Sequence, residues 1–112
     1  MTRPTIALFT GDPAGIGSEL IGKLLAIPEC LQQARILLIA QEGQVQAPAD
    51  VEVVEWAGRH SAPFAPAQAT ADNGRYMLQG LSTGLELVKS GVADALCFAP
   101  LNKTALRLGG MH

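Results

Sequence analysis

Charge of either sign is scarce in this chain, and so are aromatic rings, cysteines and long apolar runs. Charged residues make up 16% of the 112 positions, and the formal net charge is −2. Lys and Arg are scattered, with no basic stripe and no interleaved aromatics. That excludes the electrostatic footprint of a nucleic-acid-binding surface. No apolar stretch approaches the roughly twenty residues needed to cross a bilayer, so no membrane partner is expected. Cys30 and Cys97 lie far apart and match no metal-ligand spacing. Two cysteines and no signal peptide point to a reducing cytoplasm. Cys97, inside Ala95-Leu96-Cys97-Phe98, reads as a small buried hydrophobe. Aromatics are only 4% of the chain, so an aliphatic core is expected. Internal repeats and low-complexity tracts are absent too.

What is present is a chain rich in Leu, Ile, Val and Ala, 48% hydrophobic, of a length that suits one compact domain. Four short runs read as strands: Thr5 to Phe9, Arg35 to Ala40, Val51 to Trp56 and Ala93 to Ala99. The first, second and fourth are nearly continuous in apolar character, as in parallel strands covered on both faces. Val51 to Glu55 partly alternates and reads as an edge strand. A helix is expected from about Gly17 to Ile27, with Ile16, Leu20, Ile21, Leu24 and Leu25 at apolar spacing, Ser18 and Glu19 suited to its start, and Pro28 ending it. A Pro-containing loop over 57–70, with Pro63 and Pro66, separates this half from a longer helix, Asp72 to Lys89. Gly74, Gly80 and Gly84 within that helix suggest close packing against a sheet or a neighbouring helix. Gly91 terminates it, and a short helix from Asn102 to Leu108 comes last. Strands alternating with helices imply an α/β fold, a three-layer sheet with right-handed crossovers. The run Leu106 to His112 contains a helix end with no closing element, so residues 1–112 are expected to form the N-terminal segment of a larger protein, with no internal boundary.

The densest motif is Thr10-Gly11-Asp12-Pro13-Ala14-Gly15-Ile16-Gly17. It joins the first strand to the first helix, which brings backbone N–H groups to the carboxyl end of a strand, where open α/β folds bind phosphates and cofactors. The spacing Gly-x-x-x-Gly-x-Gly is neither the dinucleotide fingerprint nor a P-loop. Asp12 is a poor choice for a loop that only cradles phosphate, and Pro13 removes one donor. A second motif, Ala99-Pro100-Leu101-Asn102-Lys103-Thr104, also leaves a buried strand and opens a helix. Asn102 can cap that helix, and Lys103 can neutralise a phosphate or carboxylate. A capped surface helix with a solvated lysine is the competing reading. Arg75 could bind an anion but reads first as an exposed helix residue, and His60 as a surface residue. His60 and His112 alone cannot build a metal site.

Taken in order, Gly11-Asp12-Pro13-Ala14-Gly15-Ile16-Gly17, Asn73-Gly74-Arg75-Tyr76 and Ala99-Pro100-Leu101-Asn102-Lys103 resemble the N-terminal part of the 4-hydroxythreonine-4-phosphate dehydrogenase family of vitamin B6 biosynthesis, including its phosphothreonate- and phosphoerythronate-type relatives. The resemblance spans nearly all of this chain but only about the first third of a family member. It implies an isocitrate/isopropylmalate dehydrogenase-like fold, incomplete in this chain, with two α/β domains around a cleft, and a homodimer at full length. It also implies oxidation of a secondary alcohol on a small phosphorylated hydroxy acid by NAD or NADP, with a divalent metal whose ligands lie beyond this chain, and in some members decarboxylation. Two departures stand out. Ser18 replaces the family's usual proline, and Pro100-Leu101-Asn102-Lys103 is closer to the phosphothreonate-type branch than to the branch in which a histidine commonly precedes the lysine. The substrate therefore stays open between 4-phosphohydroxythreonine and 4-phosphothreonate types. His112 is not matched to the family's later Gly-His-Thr-Glu motif.

The cleft residues expected in this chain are Gly11, Asp12, Gly15, Gly17, Asn102 and Lys103, in substrate-positioning roles. No catalytic, metal-ligating or cofactor-binding residue is assigned, and the 112 residues alone are expected to be inactive. A truncated, non-catalytic α/β module that binds a ligand or dimerises is the alternative, and a phosphate acyltransferase of related topology is a weaker third.

Overall fold

The computed structural model describes residues 3–61, 64 and 67–111. Pro63, Pro66 and His112 therefore lie outside the described residues. The elements run β1 (Thr5–Phe9), α1 (Gly17–Leu25), α2 (Pro28–Gln33), β2 (Arg35–Ile39), β3 (Glu52–Val53), α3 (Ala71–Lys89), β4 (Ala95–Phe98) and α4 (Lys103–Leu108). All strands are parallel, in the order β3-β2-β1-β4.

The pleat of β1 and β2 sends alternate side chains to two separate cores. Ala7, Phe9, Leu37 and Ile39 pack with Tyr76 and Met77 of α3 and with Ala105 and Leu106 of α4. Leu8, Ile36 and Leu38 pack with Ile21 and Leu25 of α1, and Leu31 of α2 joins them. Helices thus cover both faces of the sheet, the layered α/β arrangement that the alternation of elements implied.

Several expectations are corrected. Pro28 ends α1 and also starts α2, at its first turn, where a missing N–H costs nothing. The third strand shrinks to two residues. After Val54 donates to Leu38 O, the chain turns so that Trp56 is buried and its Nε1 donates to Ala40 O at 3.0 Å. Of the five apolar residues spaced along the first helix, only Ile21 and Leu25 are buried, while Ile16, Leu20 and Leu24 stay exposed because a narrow stripe of α1 meets the sheet. Ser18 makes no capping bond, and the N-cap position is Ile16. Cys97 is exposed, not buried, and Phe98 is half exposed, because β4 lies at an edge of this sheet. The core is not purely aliphatic either. Phe9, Trp56, Phe64 and Tyr76 gather in one cluster with ring centroids 5.1 to 6.0 Å apart.

The helical glycines do what their spacing implied. A Cβ on Gly74 would overlap the carbonyl of Ala105 in α4, one on Gly80 the ring of Phe9, and one on Gly84 the side chain of Leu96. The obstacle at Gly74 is backbone, so α3 and α4 must separate to accept any side chain. Gly22 of α1, by contrast, has open space around it. Gly74→Ala is therefore expected to lower stability by about 3 kcal/mol or more, whereas Gly22→Ala raises it by about 0.5–1 kcal/mol through helix propensity. Urea midpoints at constant m-value check both signs.

Candidate functional site at the carboxyl edge of the sheet

The carboxyl ends of β1 and β4 are neighbours, and the chain leaves them on opposite sides. After β1 it passes through α1, which packs on one face, and β4 is reached through α3, which packs on the other. The crevice between two such strand ends is a topological switch point, the usual ligand position in open α/β sheets.

The two motifs singled out by sequence meet there. Gly11 has φ +78°, and a Cβ on it would lie 2.5 Å from Ala99 O and 2.6 Å from Pro100 O. Only glycine gives both the left-handed backbone and the close approach. The next amide, Asp12 N–H, donates to Pro100 O at 3.0 Å, so the loops after β1 and β4 are bonded together. Gly17 brings the start of α1 onto Thr10, whose carbonyl a Cβ would overlap. Gly15 is exposed, and its amide donates to Asp12 O at 3.0 Å.

Asp12 has a local task. Its Oδ1 accepts from Ala14 N–H at 3.0 Å, a turn that holds the loop's own shape. Asn102 caps α4, its Oδ1 accepting from Ala105 N–H at 3.0 Å, as its position before the helix implied. The side-chain oxygens that bond in these two loops are thus engaged within them. Two groups at this edge are not. The first turn of α1 has no side-chain cap, which leaves its amides open to an acceptor. Lys103, at the first turn of α4, is exposed and makes no hydrogen bond or ion pair with the described residues. An uncapped helix start and an exposed ammonium, on two loops bonded together at one sheet edge, are each suited to an anion.

Beneath the glycine loop lies a polar network that the sequence did not reveal. Thr10 is fully buried, and its hydroxyl donates to Gln44 Oε1 at 3.3 Å. The same oxygen accepts from Tyr76 OH at 3.3 Å and from Gln41 N–H at 2.9 Å. Gln44 sits in the connection between β2 and β3, where no periodicity or motif marks it. Burial pushes the Tyr76 phenol up to about 12, against hydrogen bonds from Thr10 and Gln41 that pull the other way.

The remaining candidates are elsewhere. Arg75 pairs with Asp72 on the exposed side of α3. His60 is exposed and sits 2.6 Å from Glu42, with Glu55 at 3.6 Å. No group of three His, Cys, Asp or Glu that could hold a metal ion occurs among the described residues. None of their helices is long and apolar enough to cross a membrane. An open groove of about 410 Å³ lies between the β3 end and α3, lined by Val54, Trp56, Ser82, Thr83 and Glu86, away from the glycine loop.

A parallel sheet with helices on both faces, and two strand-end loops bonded together at its switch point, defines a layered α/β protein. The chain belongs to the family described as pyridoxal phosphate biosynthetic protein PdxA, whose model matches residues 7–112. It is 37% identical, over 96% of its length, to a protein of Pseudomonas aeruginosa provisionally named 4-hydroxythreonine-4-phosphate dehydrogenase 2, covering 39% of that protein. It is 32% identical to the D-threonate 4-phosphate dehydrogenase of Bordetella bronchiseptica, over 96% of this chain and 37% of that one. Among solved structures, a 4-hydroxythreonine-4-phosphate dehydrogenase from Burkholderia phymatum matches 98% of this chain and 40% of its own, with 27% identity and a TM-score of 0.85. The chain thus spans about two-fifths of the length of the relatives it matches.

Because Tyr76 is the only tyrosine, its proton can be followed through stability. The unfolded phenol ionises near 10.0 and the folded one near 12. The folded state therefore keeps the proton in that window while the unfolded state loses it. The contribution is intact below pH 10 and is lost as pH rises through 12, about 3 kcal/mol in all. Tyr76→Phe removes this part of the slope, so urea denaturation between pH 10 and 12 should show the wild type losing about that much more stability than the variant.

Proposed function

We propose that this chain forms the N-terminal part of a dehydrogenase that oxidises a secondary alcohol on a phosphorylated hydroxy acid, and that the switch-point edge is one wall of its substrate cleft. The carrying observation is the Asp12–Pro100 hydrogen bond, which joins the loop that opens the uncapped α1 to the loop that opens α4 at Lys103, a lysine with no partner among the described residues. The α1 start and Lys103 each complement an anionic group. The family membership and the dehydrogenase names of the relatives support the reaction class.

In this reading the Lys103 ammonium and the first-turn amides of α1 bind the substrate's phosphate or carboxylate, and Asn102 Nδ2 offers one further donor. Gly11 lets the two loops close on each other, Gly17 lets the start of α1 close on Thr10, Gly15 continues the turn, and Asp12 holds the loop in shape. These groups bind and orient; none takes a proton from the reacting alcohol. NAD or NADP would accept the hydride, and a divalent metal would polarise the alcohol oxygen. The described residues do not supply a metal donor set, so the metal's ligands are assigned to other parts of the longer protein, no residue here is assigned to the nicotinamide cofactor, and no step is derived through either group. The isocitrate/isopropylmalate dehydrogenase-like two-domain arrangement, the homodimer and a cytoplasmic location are part of the same proposal. Exposed Leu20, Leu24 and Phe98, together with the open edge of β4, are consistent with further protein packing there. The substrate stays open between 4-phosphothreonate and 4-phosphohydroxythreonine types: the Asn before Lys103 points to the first, and the relatives carry both names.

In a protein of the relatives' length beginning with these residues, Lys103→Ala should lower kcat/KM for the phosphorylated substrate by roughly 10- to 100-fold, with Lys103→Arg retaining much of the activity. NADH formation with 4-phosphothreonate and 4-phosphohydroxythreonine measures it. Unchanged kcat/KM in Lys103→Ala would remove Lys103 from the cleft, and turnover by the 112-residue chain alone would refute its assignment as a partial enzyme.

A further inference from the structure

We infer that Gln44 is a positioning residue for the glycine loop, acting from the neighbouring β2–β3 connection and touching no substrate itself. Three donors converge on one oxygen. Gln41 N–H reaches Gln44 Oε1 at 2.9 Å, while the Thr10 and Tyr76 hydroxyls reach it at 3.3 Å each. A side-chain carbonyl has two lone pairs, so a third donor forces longer bonds, and the two hydroxyls take them. Each donor belongs to a different part of the site. Thr10 is the last residue before Gly11, Gln41 follows the end of β2, and Tyr76 lies in α3 at the centre of the aromatic cluster.

Thr10 is the point at which the glycine loop leaves the sheet. Its amide donates to Ile39 O at 3.3 Å, its carbonyl lies against Gly17, and its buried hydroxyl goes to Gln44. Beyond it, Asp12, Ala14 and Gly15 are held by bonds within the loop and to Pro100. A rotation of Thr10 would therefore carry the whole loop, and with it the start of α1, away from Lys103. Gln44 opposes that rotation from outside the loop, through a side chain whose own backbone is fixed by the turn from Gln44 N–H to Gln41 O at 3.0 Å. The effect on ligand binding rests on the cleft reading above; the ordering of the loop does not.

The test is native-state amide hydrogen exchange on the 112-residue chain with Gln44→Met, Gln44→Glu and Thr10→Val. Gln44→Met keeps the length and loses the acceptor, Gln44→Glu keeps an oxygen acceptor, and Thr10→Val removes the donor at the loop end. Gln44→Met and Thr10→Val should speed exchange at Asp12, Ala14 and Gly15 by roughly tenfold more than at the interior of α3, the loss of about one hydrogen bond, and Gln44→Glu should restore it to within about threefold. Equal acceleration at the loop and in α3, an unchanged loop, or failure of Gln44→Glu to restore it would each overturn the inference. If Gln44→Met does not fold, Thr10→Val decides alone. In a protein of the relatives' length, Gln44→Met should raise KM about fivefold or more with kcat nearly unchanged. A loosened loop with unchanged KM would leave the positioning role standing and count against the cleft reading instead.

Discussion

The hydrogen bond from Asp12 N–H to Pro100 O, made possible by a glycine at position 11, is the contact on which the rest of this site depends. It joins the loops after two adjacent parallel strands whose helices lie on opposite faces. The pairing of β1 with β4 and the bond from Ala99 N–H to Phe9 O bring the two strand ends together, and this contact carries the link on into the loops that open α1 and α4. With it, an uncapped helix terminus and a lysine unpaired among the described residues lie on two bonded loops at one edge. The contact leaves no room for a Cβ, because two backbone carbonyls already occupy the space around Gly11. Carbonyls cannot swing aside as a side chain can, so the requirement is for glycine and not merely for a small residue.

This contact also accounts for the two residues that fitted a phosphate loop badly. Asp12 contributes its carboxylate to the loop's own turn, where Oδ1 accepts from Ala14 N–H, which gives the acid a structural task in the loop. Pro13 gives up a donor in the middle of the turn, not at the helix start where donors count. The loop is built to hold its shape against Pro100 first and to present amides second, which is why its spacing departs from loops that wrap a phosphate with every glycine.

Much of the scaffold was legible in the sequence. Continuous apolar runs placed β1 and β2, Asn102 announced the start of α4, and three glycines announced the tight fit of α3 against its neighbours. What was lost has physical causes. The stretch 51–56 has a strand's composition, yet burying Trp56 against Ala40 and Tyr76 bends the chain out of the sheet after two residues. The apolar stripe of α1 is wider than the surface it covers, and β4 is apolar but lies at an edge, so periodicity overstated burial at Leu20, Leu24 and Cys97. Gln44 was invisible because a lone glutamine in a turn carries no pattern. Its importance comes from three groups, 34 and 32 residues away and at Gln41, that only the fold brings together. Motif residues were readable as positions on the sheet edge, with Asn102 as a cap and Lys103 as a cation; that Asp12 spends its carboxylate on the loop's own turn was not readable.

The central claim is that the α1 start and Lys103 face one ligand from two loops. Titrating the isotopically labelled chain with a 4-phosphorylated hydroxy acid, and following amide resonances, tests it most directly. The account predicts that Gly17, Ser18, Glu19 and Lys103 shift together with one dissociation constant, and that Lys103→Ala weakens the response at the α1 amides as well as at its own position. Shifts confined to one of the two loops, or centred on the groove beside Trp56, would contradict it.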